Sequence, residues 1–111
     1  MVEKIVVIIS TSDLEKARTA AMYVKNALFQ GWLEEVKIFF FGPAQDLLLE
    51  DEELQEFVKE VSAMEETPIA CKFISERDNT SEQLSQLGVK VESVGYQISE
   101  LIKNGYVPMV W

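Results

Sequence analysis

The 111-residue chain contains no histidine and only one cysteine, Cys71. Without histidine, the chain supplies neither a Ser-His or Cys-His catalytic pair nor a histidine-based metal site. A single cysteine excludes an internal disulfide, and it excludes zinc or iron–sulfur sites made from several cysteines of one chain. We therefore expect no disulfide-stapled secreted fold, no bound metal and no cofactor.

The sequence also lacks a long hydrophobic run near its start. The apolar stretch after the first four residues covers only residues 5–9. That stretch is too short for the core of a signal peptide or for a membrane span. We therefore expect a cytoplasmic protein without membrane contacts. The length suits one domain, residues 1–111, and is sufficient to bury a core without metals or disulfides.

Positive charge is scarce, with 10 Lys and Arg against 19 Asp and Glu and a net charge of −9. Residues 44–66 hold nine acids and one base, a net of −8. This balance opposes binding to nucleic acids and to anionic membranes, because both require a positive surface. Two interpretations of the acidic segment remain open, a solvated helix face and a docking face for a basic partner.

Strand-like and helix-like segments alternate along the whole chain. Residues 5–9 are β-branched throughout, which is typical of a strand buried on both faces of a parallel sheet. Ser12 and Glu15 fit a capping box that opens a helix, and Gly31 fits its end. Residues 72–77 are compatible with either a strand or a helix. The other predicted strands are 36–41, 67–71, 89–91 and 106–111, and the other predicted helices are 44–49, 51–64, one after Thr80 and one after Ser93.

The alternation predicts an α/β fold with three layers, in which helices cover both faces of a five-stranded parallel sheet. The hydrophobic first strand should be central, and Pro108 should place the last strand at an edge because proline lacks a backbone donor. A strand order of 2-1-3-4-5, as in flavodoxin-like folds, satisfies both conditions.

Sheets of this kind bind ligands beyond the carboxyl ends of the strands, where the strand order reverses. For the order 2-1-3-4-5, that position lies between strands 1 and 3. The first strand would deliver hydroxyl groups there, the third strand the only thiol, and the second strand a Gly-Pro turn. The candidate site residues are Ser10, Thr11, Ser12, Gly42, Pro43, Cys71 and Lys72.

These groups suit sulfur chemistry, because a following helix N-terminus and Lys72 would favour the Cys71 thiolate. Backbone amides and hydroxyls would hold a persulfide or a small oxyanion. Structural interpretations stand beside this one: Cys71 packs in the core, residues 10–12 cap a helix, and Lys72 is solvated. A flavin-phosphate loop is not favoured, because residues 10–15 contain no glycine.

Several segments resemble the DsrE/DsrF-like (YchN-like) family of small sulfur-relay proteins, nearly end to end. The third-strand cysteine followed by a Leu-Gly-Val step at 87–89 is the most specific part. The other segments are TSDLEKA at 11–17, VKIFFFGPAQDLL at 36–48, TPIAC at 67–71 and LIKNGY at 101–106.

The resemblance implies one DsrE-like domain in a flavodoxin-like fold of strand order 2-1-3-4-5, assembled into homotrimers or homohexamers. It also implies that Cys71 carries sulfane sulfur as a persulfide between a donor and an acceptor protein, as a sulfur carrier or sulfurtransferase. A second hypothesis is a non-catalytic oligomeric binding or regulatory module in which the cysteine is structural. Thiol peroxidase chemistry is a weaker third hypothesis, because no second cysteine resolves a sulfenic acid within the chain.

Overall fold

Five strands and six helices alternate along residues 3–111, the part of the chain that the computed structural model describes. Met1 and Val2, which the predicted domain 1–111 includes, lie outside the described residues. The strands are β1 (Lys4–Ile9), β2 (Glu35–Phe40), β3 (Ile69–Cys71), β4 (Lys90–Glu92) and β5 (Val107–Val110). The helices are α1 (Leu14–Gln30), α2 (Ala44–Glu50), α3 (Glu52–Ala63), α4 (Lys72–Arg77), α5 (Ser81–Gln86) and α6 (Val94–Lys103).

All five strands are parallel, and helices lie on both faces of the sheet, which confirms the predicted α/β class. Within residues 3–111, none of the helices has the length and apolar character needed to cross a membrane.

The strand order is β4-β3-β2-β1-β5, so the predicted order 2-1-3-4-5 is wrong. Strand β2 lies between β1 and β3, with Ile9 opposite Phe40 and Phe39 opposite Ile69. Its Phe39 and Phe40 point to opposite faces and are both almost fully buried, so β2 is apolar on both sides and suits the centre of the sheet. The prediction that the Pro108 strand lies at an edge is confirmed, although its neighbour is β1.

The two faces of the sheet are covered unequally. Successive steps from β1 to β4 run in one direction, and right-handed crossovers therefore place α1, α2, α3 and α5 on one side. The short helix α4, also between β3 and β4, instead packs Ile74 against the cluster on the other side. The step from β4 to β5 runs back, so α6 lies on the opposite side. We call the side with α1, α2, α3 and α5 the large layer and the other side the α6 face. Side chains of β1 divide accordingly: Val7 and Ile9 join the core of the large layer, whereas Val6 joins the cluster beneath α6.

The ends of α1 show how local sequence sets the helix boundaries. Asp13, rather than the predicted Ser12, is the N-cap, and its Oδ1 accepts a hydrogen bond from the Lys16 amide at 3.2 Å. Thr11 Oγ1 accepts from the Asp13 amide at 3.0 Å, which fixes the preceding turn. Gly31 ends the helix with φ 66° as predicted, in a left-handed conformation that glycine adopts without a Cβ clash.

The ambiguous segment 72–77 forms the helix α4 directly after β3. Thr80 and Ser93 occupy the N-cap positions of α5 and α6 as predicted, but neither side chain makes a capping hydrogen bond.

Candidate functional site

The predicted site residues lie at the carboxyl ends of three neighbouring strands. In the sheet register, Cys71 is opposite Glu92 of β4, and Phe41 follows the pair formed by Phe40 and Ala70. Ser10 follows the pair formed by Ile9 and Phe40. Because β2 separates β1 from β3, Ser10 and Cys71 stand two strand spacings apart, about 10 Å across the sheet. The predicted direct neighbourhood of strands 1 and 3 is therefore wrong.

Cys71 is the last residue of β3 and the N-cap of α4, and it is 6% exposed. Its side chain belongs to the apolar cluster beneath α6, together with Val6, Phe39 and Val94. Burial of this kind is what a cysteine shows when it acts as a small hydrophobic residue. The thiol therefore lies at the edge where ligands bind in α/β sheets, but it is turned towards the core.

Gln45 connects the residues at this edge, and the sequence analysis did not identify it. The side chain is 2% exposed, its Nε2 donates to the Cys71 carbonyl at 3.3 Å, and its Oε1 accepts from the Gly42 amide at 3.0 Å. One amide thus ties the loop after β2 to the end of β3. The signal in the sequence was Gln45 itself, a polar residue that stands between two buried positions of α2, Ala44 and Leu48.

Gly42 also approaches the end of β1. Its φ is 93°, and a Cβ at this position would lie 3.4 Å from the Ser10 Oγ. The structure therefore brings Ser10 and Gly42 together, and it links Gly42 to the backbone of Cys71 through Gln45. The left-handed φ, rather than the contact with Ser10, explains why a glycine occupies the turn after β2.

The remaining predicted site residues, which are Thr11, Ser12, Pro43 and Lys72, do not take part in these contacts. Thr11 is engaged in the turn before α1, and Ser12 and Pro43 are exposed. Lys72 is exposed, and its Nζ lies 3.8 Å from the Glu76 Oε1 one helical turn further on. An ammonium that pairs with its own helix is typical of a solvated lysine.

Arg77 is the last residue of α4, the helix that follows Cys71 directly. A hydrogen bond with the adjacent Asp78 carboxylate raises the pKa of Arg77, and Asp46 and Cys71 add smaller electrostatic contributions in the same direction. The Arg77 Nε lies 2.9 Å from the Asp78 Oδ1, so most of its charge is already balanced. In residues 3–111, no group of three or more Cys, Asp or Glu side chains is placed to hold a metal ion.

No protein-family model matches the chain, and no curated protein matches it. Among solved structures, the chain is similar to a conserved protein of unknown function from Bacteroides thetaiotaomicron. The two share 24% sequence identity over 98% of this chain and 95% of that chain, with a TM-score of 0.89. Likeness at this identity shows the fold, a three-layer α/β protein with a five-stranded parallel sheet. The resemblance to the DsrE/DsrF-like family stays a prediction.

Proposed function

We propose that this protein is a self-associating binding module in which Cys71 is a packing residue. The observation that carries the proposal is the unequal cover of the sheet. Within the described residues, four helices pack on one face of the five parallel strands, whereas the other face carries α6 and one side chain, Ile74, of the short helix α4. Parallel sheets occur almost only where both faces are covered. A second copy of the chain would supply the missing cover, which agrees with the homotrimers or homohexamers that the family resemblance implies.

Exposed apolar side chains on the α6 face support self-association. Val110 of β5 is 67% exposed and pairs with Ile8 in the sheet, so its side chain points to the same face as the cluster beneath α6. On α6 itself, Tyr96 is 68% exposed and Ile102 is 46% exposed. Aromatic and aliphatic groups of this kind are enriched at the centres of protein interfaces.

The test is the molar mass in solution, measured by sedimentation velocity for the wild type and two matched variants. Val110→Lys places a charge on the α6 face and is expected to shift the protein towards monomers. Val107→Lys is the control, because Val107 is 62% exposed on the same strand but its partner Ile5 faces the large layer. A monomeric wild type, or equal dissociation by both variants, would contradict self-association through the α6 face.

The structural role of Cys71 has its own test. A thiol reagent should label the native protein much more slowly than the protein in denaturant, because the side chain is 6% exposed. Cys71→Ala should leave the oligomer unchanged and cost about 1 kcal/mol, since it removes one buried atom of methylene size. Labelling at the same rate in both states would show an open thiol and refute a packing role.

A sulfur carrier is the second candidate, supported by the position of Cys71 at the carboxyl edge of β3. In this reaction the Cys71 thiolate attacks the terminal sulfur of a donor persulfide. A new S–S bond forms on Cys71, the S–S bond of the donor breaks, and the donor leaves as a thiolate. No external oxidant or reductant is needed, and transfer to an acceptor thiolate repeats the step.

Mass spectrometry after incubation with thiosulfate, which leaves as sulfite, tests the carrier. The expected product gains one sulfur atom in the wild type and none in Cys71→Ser. If the native protein gains no sulfur while the denatured protein is modified, burial blocks the reaction of the thiol. That result would favour the binding module over the sulfur carrier.

A further inference from the structure

A groove between α1 and α3, on the large layer, combines an apolar floor with an acidic wall. Its volume is about 510 Å³. Ala21, Leu54 and Phe57 form the floor, and all three are buried against the core. The wall on the α3 side consists of Glu53, Glu56 and Glu60.

The α1 side of the groove exposes apolar surface. Met22 lines the groove and is 58% exposed, and Phe29 is 65% exposed. Because the two residues are seven positions apart, they lie on one side of α1, about 10 Å from each other along the axis. Single exposed apolar residues are ordinary on protein surfaces. Met22 borders the apolar floor of the groove, and Phe29 adds exposed apolar surface on the same side of α1 beyond the groove. Exposed apolar surface that is grouped in this way is the pattern of an interaction site.

The cations beside the groove are already engaged within the chain. Arg18 donates from Nε to the Asp51 Oδ2 at 3.3 Å, and this bond is the main cause that raises the pKa of Arg18. Lys25 Nζ lies 3.3 Å from the Glu60 Oε2. These pairs join α1 to α3, and Arg18 Nε also lies 3.5 Å from the Glu53 Oε2. The groove is lined by four glutamates, one arginine and one lysine, a net charge of −2. The apolar side of the groove therefore borders a surface with a small excess of negative charge.

We propose that this groove binds a basic amphipathic α-helix of another protein. The apolar stripe of that helix would cover Met22, which is 58% exposed. Its Lys or Arg flank would face Glu56 and would compete with Arg18 for Glu53. An apolar groove between two helices is a recurring receptor for such a helix, and the acidic wall sets its charge and orientation. A second copy of this chain would bring the same acidic segment against itself. The inference goes beyond the proposed function, because the groove lies on the large layer and does not depend on self-association through the α6 face.

The experiment uses a fluorescently labelled synthetic peptide of about five helical turns, with Leu at i, i+3, i+4 and i+7 and Lys on both flanks. Fluorescence anisotropy with the full chain should show saturable binding of one peptide per chain. Met22→Ser and Glu56→Lys should each weaken binding about tenfold, because one removes an apolar anchor and the other reverses a wall charge. Both positions are exposed, so circular dichroism should show an unchanged fold.

Glu82→Lys on α5 is the matched control, since Glu82 is an exposed glutamate that does not line the groove. It should change the dissociation constant less than twofold at about 0.15 M salt, where distant charges are screened. Equal weakening by Glu82→Lys and Glu56→Lys would show unspecific charge attraction and overturn the proposal. Unchanged peptide binding to Met22→Ser would also overturn the proposal, as would a change in oligomer size caused by that variant. Peptide binding to a wild type that sedimentation velocity shows to be monomeric would support the groove while contradicting self-association. Loss of peptide binding in an oligomeric wild type would do the reverse.

Discussion

Tyr106 offers a sharp test of how the start of β5 is attached to the rest of the sheet. The residue is 9% exposed, and its hydroxyl donates to the Glu35 Oε2 at 2.8 Å, across 71 positions of the chain. Tyr106→Phe removes this hydroxyl but keeps the ring and its contact with Lys4, whose Nζ lies 5.4 Å from the ring centroid. The substitution therefore isolates one hydrogen bond to a carboxylate.

Hydrogen bonds to charged groups contribute about 1.5–3 kcal/mol. Glu35 is half-exposed, so water replaces the lost donor, and we expect a decrease in the free energy of unfolding of about 1–1.5 kcal/mol. For a domain of this size, that decrease corresponds to about 4–6 °C in Tm. Urea unfolding at neutral pH measures it directly.

The pH dependence provides the stronger check. Burial, followed by the bond with Glu35, raises the pKa of Tyr106 from 10.0 to about 12. Because the pKa is raised, protonated Tyr106 contributes fully to the free energy of unfolding well below pH 10, and this contribution is lost as the pH rises towards 12. From neutral pH to pH 11 the wild type should lose about 1.4 kcal/mol that Tyr106→Phe does not lose, because one pKa unit corresponds to that energy.

The two proteins should therefore be about equally stable near pH 11. A stability difference that stays constant from neutral pH to about pH 11 would refute the reasoning, as would equal stability at neutral pH.

Two further substitutions test other parts of the structure. Gln45→Ala leaves the Gly42 amide and the Cys71 carbonyl without their buried partner, and urea unfolding should show a loss of about 2–4 kcal/mol; a loss below about 1 kcal/mol would argue against the bridging role. Asp51→Ala removes the N-cap of α3 and its bond to Arg18, and should cost about 1–3 kcal/mol, with Asp51→Asn costing less because asparagine still caps. The bond with Arg18, the main cause, lowers the pKa of Asp51 below 3.8, so this contribution is present above that value and is lost as the pH falls further. A urea series in acid should accordingly show a shallower decline for Asp51→Ala than for the wild type, and parallel declines would contradict the assignment.

Local sequence was sufficient to predict most of the elements. The β-branched residues 5–9, the glycine at position 31 and the apolar face of α3 each indicate one structure without reference to distant residues. The N-cap of α1 was misplaced by one residue, because serine and aspartate are both common N-cap residues and Ser12 and Asp13 are neighbours. Thr11 fixes the turn before the helix by accepting a hydrogen bond from the Asp13 amide, and this turn places Asp13 at the N-cap.

The strand order was not predictable in the same way. Both β1 and β2 are rich in apolar residues, and either fits the interior of a parallel sheet. The choice depends on pairings between distant segments, and the return of β5 to β1 has no local signal. Because the order was wrong, the predicted crevice between strands 1 and 3 was wrong as well.

The burial of Cys71 likewise depends on tertiary structure. The sequence predicted that Cys71 lies at the end of β3. Its exposure, however, depends on how α6 packs across that strand. Gln45 was missed for a related reason, because its partners are backbone groups of the loop after β2 and of the end of β3.

The pairing of β5 with β1 has a consequence for synthesis. A nascent chain that has produced only the first four strands carries β1 with one edge unpaired, and that edge is a template for intermolecular strand addition. Contacts that span most of the chain also form slowly, since a long loop must close first. Expression at lower temperature or with a holdase chaperone should therefore raise the yield of folded protein, and circular permutation that joins β5 ahead of β1 should shorten the vulnerable period.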